Sequence, residues 1–311
     1  MSQNQKHPGL GVLLALSSSL LFGLNASTTK VLIASGISAG NLVLFRCLAV
    51  VFFSGIALAI LNPKNFRISL KELPLFAVFG VVGVGLMQWA YSNAVANLQV
   101  GVALLIEYTA IVIVPIACYF IFREKVRPRI WIAVGLVIGG LAVVAKPWNT
   151  SLNPIGVLFG VLAAIFLSSY FIMGEHIQRS RDAFSTMFYS FLAASIFWAI
   201  MSVIFPAGRI DFGNTVNLSG SLADLTFPTW SVLLWVSIFG SFAPMLFTFL
   251  AMRHLPASGV GIASTAETIF AFVFGFLWLG ENIDLSQISG GALVVVGIVV
   301  AQTARSKEWQ P

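Results

Sequence analysis

Apolar runs of membrane-spanning length, separated by short polar punctuation, fill the chain from end to end. A helix crossing a hydrocarbon core of about 30 Å needs roughly 20 mostly apolar residues. Cutting at turn clusters and charges yields ten such segments. The first half gives 9–33, 39–61, 73–95, 99–121 and 129–146; the second gives 154–174, 183–205, 229–251, 256–278 and 286–304. Pro63, Pro74, Pro128, Pro154, Pro228 and Pro256 stand at or beside the cuts, where a missing amide does least harm. Most connections are short, so consecutive helices are expected to run antiparallel. The exception is a longer loop at 206–228, which carries Gly208, Gly213, Asn214, Gly220 and Asp224. The predicted fold is an all-α polytopic membrane protein with ten transmembrane helices.

Composition agrees. Of 311 residues, 58% are hydrophobic and only 9% are charged, whereas an average soluble domain is about 25% charged. Mean hydropathy is +0.95. So few charges exclude a soluble globule, a disordered chain and a nucleic-acid binder. Cys47 and Cys118 lie in separate apolar runs, with neither metal-ligand spacing nor a disulfide role. The first segment reads as a retained span and not a signal peptide, because Lys6 alone precedes an apolar run longer than a typical h-region. Asn25-Ala26-Ser27 fits a glycosylation acceptor but lies within that span, so the match is coincidental.

The 17 Lys and Arg residues test the count of spans. With a cytosolic N-terminus, the inside loops hold Lys6, Lys64, Arg67, Lys71, Arg123, Lys125, Arg127, Arg129, Arg179, Arg181, Arg253, Arg305 and Lys307. The outside ends hold Lys30, Lys146 and Arg209, and Arg46 lies within a span. This is the asymmetry of the positive-inside rule. One missed or invented helix would invert every later loop, so both termini are expected in the cytosol.

The two halves resemble one another. Gly11-Val12-Leu13-Leu14 parallels Gly156-Val157-Leu158-Phe159, 145 positions on, and Phe122 to Glu124 parallels Leu279 to Glu281, 157 positions on. Each of the latter precedes a glycine-rich span, with Gly135, Gly139 and Gly140 in one half and Gly290, Gly291 and Gly297 in the other. The long 206–228 loop absorbs the change of offset. The expected units are therefore 1–150 and 151–311, two five-helix repeats. An odd number of spans per copy makes the second enter the membrane from the opposite face. Such inverted repeats serve alternating access around a site near the midplane.

These features identify a family resemblance. The runs YFIFREKVRPRIWIAVGLVIGG from Tyr119 and FGFLWLGENIDLSQISGGALVVVG from Phe274 resemble the paired signatures of the drug/metabolite transporter superfamily, in its EamA-type ten-span branch. Lys30, Arg46 and the run HLPASGVGIASTAETIFAF from His254 are similar to that branch as well. The chain departs from it at Thr268, where Pro is usual after Glu267, and at Arg123, where Gly is usual. Within the branch the likeness is to YddG-type exporters of aromatic and other neutral amino acids in bacterial cytoplasmic membranes. The resemblance implies that fold, that class of cargo and that location.

Polar residues at membrane depth are the candidate site, because a charge at a helix centre costs about 2.5–3.5 kcal/mol on insertion scales. Glu267 lies mid-span beside Ser264 and Thr268, as a cavity carboxylate or as an interhelical hydrogen-bond partner. Glu107, followed by Tyr108 and Thr109, corresponds to Ser264 at the 157 offset, one turn from Glu267. It reads as a second cavity carboxylate or as a partner of Lys30. Arg46 is a possible charge partner, for a substrate carboxylate or for Glu107, and Lys30 reads as an interface anchor. Gln88, Tyr91 and Ser92 share one helical face. Asn25 and Tyr170 correspond at the 145 offset and complete the cavity-lining set.

The expected function is secondary export of a small molecule, most directly an amino acid, through a central cavity, with lipid as the surrounding partner and no nucleic acid. Nucleosides, sugars or drugs are the alternative cargo for such a scaffold. No phosphate-binding loop is present to use ATP, and no cofactor is expected. His7, His176 and His254 fall at helix ends, which leaves no catalytic constellation for an enzyme. The tails are too short for a sensor's soluble domain.

Overall fold

A computed structural model describes residues 7–121, 128–145, 152–178, 181–206, 208, 210–252, 254–255 and 257–305. The signature at Phe122 to Glu124 lies outside the described residues, as do Lys6, Lys125, Arg127, Lys146, Trp148, Arg179, Arg209, Arg253, Pro256, Lys307 and Trp309. Helix is found in each predicted apolar segment. Among the described residues, seven helices are long and apolar enough to cross a membrane: Pro8–Ala34, Ala39–Leu61, Leu73–Asn97, Pro154–Gly174, Ala183–Ile204, Thr229–Met252 and Leu285–Thr303. Shorter apolar helices cover Val100–Val114, Pro128–Val144 and Ile262–Leu277. This is a polytopic helical membrane protein.

Local chemistry sets the helix starts. α1 (Pro8–Ala34) opens on proline, whose missing amide would have no partner in the first turn. Ser38 caps α2 (Ala39–Leu61) by accepting from Asn41 N at 3.3 Å. Helix α3 (Leu73–Val78) passes through a π-helical stretch, Phe79–Leu86, into α4 (Met87–Asn97). Next come α5 (Val100–Glu107), α6 (Ala110–Ile121), α7 (Pro128–Ala145) and α8 (Pro154–Gln178). Asp182 caps α9 (Ala183–Ile204), accepting from Phe184 N at 3.0 Å and Ser185 N at 3.1 Å. A second π-helical stretch, Ile238–Phe242, joins α10 (Thr229–Ser237) to α11 (Ala243–Met252). The chain ends with α12 (Ala257–Ser264), α13 (Ala266–Leu277) and α14 (Leu285–Arg305). Asp284 and Gln287 form a reciprocal capping box on α14.

Two expectations change. The spans 99–121 and 256–278 are each broken: α5 gives way to α6 at Tyr108–Thr109, and α12 to α13 at Thr265. The 206–228 segment contains a small antiparallel hairpin, with Thr215 opposite Pro228, Val216 opposite Phe227 and Asn217 opposite Thr226. Alternation places Val216 at 1% exposure between two exposed neighbours, a signal too short to stand out among glycines and asparagines.

Close packing follows small residues. A Cβ on Gly140 of α7 would lie 2.6 Å from the carbonyl oxygen of Gly290 on α14, and one on Gly290 would lie 2.6 Å from that of Gly140. Val294 crowds the first position and Val144 the second, so the contact is reciprocal. The same reciprocity recurs elsewhere. Gly11 of α1 faces Leu255 and His254, while Gly156 of α8 faces Leu98 and Asn97, each leucine Cγ being 2.6 Å from the notional Cβ. The largest apolar cluster joins α4, α5, α7, α8 and α14, with Leu105, Ala133, Val294 and Ile298 fully buried.

Polar contacts close both ends. At one end the hairpin grips α13: Ser221 N donates to Trp278 O at 2.7 Å, and Trp278 Nε1 donates to Leu218 O at 2.9 Å. Gly220 there has φ of 57° and no room for a side chain against that carbonyl. At the opposite end Arg181 donates to Glu72 at 2.6 and 3.0 Å and to the carbonyls of Asn65 and Arg67. That guanidinium, with Ser69 N–H, draws the Glu72 carboxyl from the usual 4.5 down to about 2.

The packing predicts that Gly140→Leu lowers the melting temperature of the detergent-solubilised protein, at about 1–3 kcal/mol for overpacking. Its neighbour Gly139, with open space around its Cα, should accept leucine without a shift. Equal effects would contradict the packing. Because the Glu72 pKa is depressed, its stabilisation is full above the unfolded value and is lost as pH falls from about 4.5 to about 2. The Glu72→Gln variant should therefore lose less stability than wild type over that acid range, measured by thermal melting.

Candidate functional site

Both helix breaks are built alike. Thr109 N donates to Ile106 O at 3.1 Å, and Thr265 N donates to Ile262 O at 3.1 Å, so each chain tightens by one residue per turn. Each threonine hydroxyl also takes a nearby carbonyl: Thr109 Oγ1 bonds Ile106 O at 2.7 Å, and Thr265 Oγ1 bonds Ile262 O at 2.6 Å. Tyr108 and Thr265 stand at the sequence offset of 157. Irregular backbone at membrane depth is tolerated only where protein or a water-filled cavity satisfies it.

The breaks meet through side chains. Tyr108 Oη donates to Glu267 Oε2 at 2.6 Å, tying the first break to the opening turn of α13. Glu107, the last residue of α5, is 6% exposed, and its carboxylate makes no hydrogen bond among the described residues. Electrostatic interactions link Arg46 to Tyr91 and Glu107, and link Tyr91, Glu107 and Tyr108 in turn to Glu267.

Arg46 is 4% exposed and held from the second π-helical stretch. Its Nε donates to Ser241 Oγ at 2.7 Å and its Nη2 to Gly240 O at 3.2 Å. A π-turn displaces the regular backbone ladder, which presents such a carbonyl to an outside donor. Asn25 converges on the same place, its Oδ1 only 2.4 Å from where a Gly240 Cβ would stand. Buried polar atoms are normally paired. Here Arg46 Nη1, Gln88 Oε1, Tyr91 Oη and Thr268 Oγ1 are buried without a hydrogen-bond partner among the described residues.

The remaining sequence candidates sort differently. Ser92 is fully buried, and its hydroxyl returns to Gln88 O at 2.7 Å. Tyr170 stacks on Phe79, with ring centroids 5.3 Å apart, among aromatic neighbours. Ser264 is half-buried at the end of α12. Lys30 pairs with Glu281 at 2.6 Å and with Leu98 O at 2.8 Å, so its partner is not Glu107. Glu281 in turn accepts from Val100 N at 3.0 and 3.2 Å, clasping the start of α5. Arg46 likewise bonds Ser241 and Gly240 directly, where a bond to Glu107 was one expectation.

Sequence reasoning missed Gly240 and Ser241, and it could not single out Trp198 from Trp89, Trp235 and Trp278, the other tryptophans away from clear span ends. Trp198 Nε1 is also buried without a partner. Trp89 and Trp198, ring centroids 6.0 Å apart, line a cavity of about 660 Å³ that runs to the α1–α2 turn. The glycines at 80, 83 and 85 were the available signal: a Cβ on Gly80 would sit 2.3 Å from Ser190 O on α9. Among the described residues, no group of three His, Cys, Asp or Glu gathers to hold a metal ion.

The fold is that of a polytopic membrane protein with a buried polar cluster between its helices, and comparison with known proteins specifies the kind. The model of the EamA-like transporter family matches twice, over residues 9–146 and 154–303. The chain belongs to this family, within the drug/metabolite transporter superfamily. It is 24% identical over 290 residues to the pseudopaline exporter CntI of Pseudomonas aeruginosa, covering 93% of this chain and 94% of that one. It is 23% identical over 279 residues to the threonine/homoserine exporter RhtA of Escherichia coli K12, covering 88% and 84%. A crystal structure 17% identical in sequence superposes with a TM-score of 0.64 over 96% of this chain and 98% of that one, a likeness of fold alone.

The link between the breaks makes a quantitative prediction. Tyr108→Phe strands the Glu267 carboxylate and should cost about 1–3 kcal/mol. Combining Tyr108→Phe with Glu267→Gln should cost less than the sum of the single changes. Strict additivity in thermal unfolding would show that the two groups do not interact.

Proposed function

We propose that this chain is a secondary exporter of small metabolites, with neutral amino acids, aromatic ones among them, as its cargo. It works by alternating access across a bacterial cytoplasmic membrane. The observation that carries this reading is the pair of broken helices, equivalent by sequence offset and joined by Tyr108 and Glu267. Discontinuous helices at corresponding places in two halves are where such transporters form their sites. The two export proteins among its relatives support the direction of transport, and the threonine/homoserine exporter supports the class of cargo.

In this reading the chain crosses the membrane ten times, as inverted repeats over 1–150 and 151–311, with both termini in the cytosol. Support comes from the reciprocal contacts of Gly11 with Leu255 and Gly156 with Leu98, which follow the offsets of 145 and 157. The two family matches, one in each half, support it too. Arg181 and Glu72 then seal the cytosolic face. The hairpin and the Lys30–Glu281 pair stand at the outer face beside the open cavity, an outward-facing arrangement.

Asn25, Gln88, Tyr91, Glu107, Tyr108, Ser264 and Glu267 contribute to the substrate path, Ser92 and Tyr170 support its walls, and Arg46 is the charged partner. A pH-driven component of transport is assigned to Glu267. Counterflow of labelled amino acids in proteoliposomes tests the reading. Saturable exchange is expected, and Glu267→Gln should abolish the response to an imposed pH gradient while exchange persists. Exchange of nucleosides or sugars without amino acids would overturn the cargo; no exchange of any solute would overturn the transporter reading.

A further inference from the structure

The unpartnered atoms of the buried cluster differ in kind, and their kinds specify a ligand. Arg46 Nη1 is a charged donor, although the guanidinium's hydrogen bonds all go to neutral oxygens. Glu107 is a buried carboxyl group with no hydrogen-bond donor among the described residues, and it sits at the C-terminal end of α5, where the helix dipole offers an anion nothing. Gln88 Oε1 is a neutral acceptor, and Tyr91 Oη, one turn along the same face, can donate. Arg46, Gln88, Tyr91 and Glu107 are each more than nine-tenths buried. Leaving opposite charges desolvated and imperfectly paired is costly.

Depth is shared as well. Arg46 lies seven residues into α2, Glu107 seven into α5, and Gln88 nine from the end of α4. At 1.5 Å per residue these positions fall within about 10–14 Å of the same end of the molecule. That is the end to which the 660 Å³ cavity opens, and Trp89, adjacent to Gln88, lines that cavity.

We propose that this cluster reads both charged ends of a zwitterion, binding the carboxylate of an α-amino acid at Arg46 and Tyr91 and its ammonium at Glu107 and Gln88. The inference rests on the export reading and deepens it. A planar guanidinium suits a carboxylate, and the ammonium supplies a hydrogen-bonding cation to Glu107, which Arg46 reaches only through space. A sugar or nucleoside would leave Arg46 Nη1 and the Glu107 carboxyl without a charged hydrogen-bond partner, and a site with stranded polar groups discriminates strongly against a ligand that cannot pair them. The side chain of the bound amino acid extends toward Trp89 and Trp198, where the wall is apolar and tolerant.

Binding to the purified full-length protein tests this, with transport measured in parallel. The probes are phenylalanine, its amide, which lacks the carboxylate, and 3-phenylpropionate, which lacks the ammonium. Wild type should bind phenylalanine at least about tenfold more tightly than either, a difference of about 1.4 kcal/mol. Arg46→Gln should lose about tenfold for phenylalanine and little for the amide. Glu107→Gln should lose about tenfold for phenylalanine and little for 3-phenylpropionate. Arg46→Lys, which keeps the charge, guards against loss through misfolding and should fall between wild type and Arg46→Gln. If phenylalanine is exchanged but binds no better than its amide, or if the variants weaken all three probes equally, the zwitterion inference fails while export stands. If no amino acid binds and other solutes exchange, the amino-acid export reading falls and takes the inference with it.

Discussion

A backbone amide or carbonyl inside a bilayer has no water to turn to, so every departure from regular helix must be satisfied by the protein itself. Among the described residues of the apolar segments such departures are few: two breaks, at Tyr108–Thr109 and Thr265, and two π-helical stretches, Phe79–Leu86 and Ile238–Phe242. Threonine hydroxyls bond carbonyls at the breaks, and Arg46 takes the Gly240 carbonyl from the second π-helical stretch. Irregular backbone thus gathers polar side chains, and one of them, Arg46, keeps an atom, Nη1, without a hydrogen-bond partner among the described residues. Structural necessity and site chemistry coincide because both concentrate polarity in one place.

Around that place the scaffold is built from close contacts between apolar helices, where small residues let backbones approach. The Gly140–Gly290 crossing holds α7 against α14, and Gly80 brings α3–α4 against α9. Polar closures stay at the ends. Arg181 and Glu72 join two loops at one end; at the other, Glu281 joins Lys30 to the start of α5 and Trp278 anchors the hairpin. Ion pairs near water are weak singly, so these closures hold the ends together without locking them.

Much of this was legible in the apolar pattern. The predicted segment 39–61 matches α2 residue for residue, and 183–205 ends one residue beyond α9, because proline, serine and aspartate caps mark entry to helices in one dimension. The 157 offset set Glu107 against Ser264, one residue before each of the two breaks. The breaks themselves were hidden, since Glu107-Tyr108-Thr109 sits in an unbroken apolar run and its turn is stabilised by partners far along the chain. Lys30 paired with a residue 251 positions away, and Arg46 with one 195 away. Composition carries no record of such distances. The π-helical stretches were hidden for the same reason, as their glycines signal closeness without saying to what.

The most direct test of the account is an experimental structure of the protein with a transported solute bound. Solute density between the two helix breaks, within hydrogen-bonding distance of Arg46 and Glu107, is the result the account predicts. Density confined to the aromatic cavity beside Trp198, with the buried cluster unchanged and still unpartnered, would contradict it.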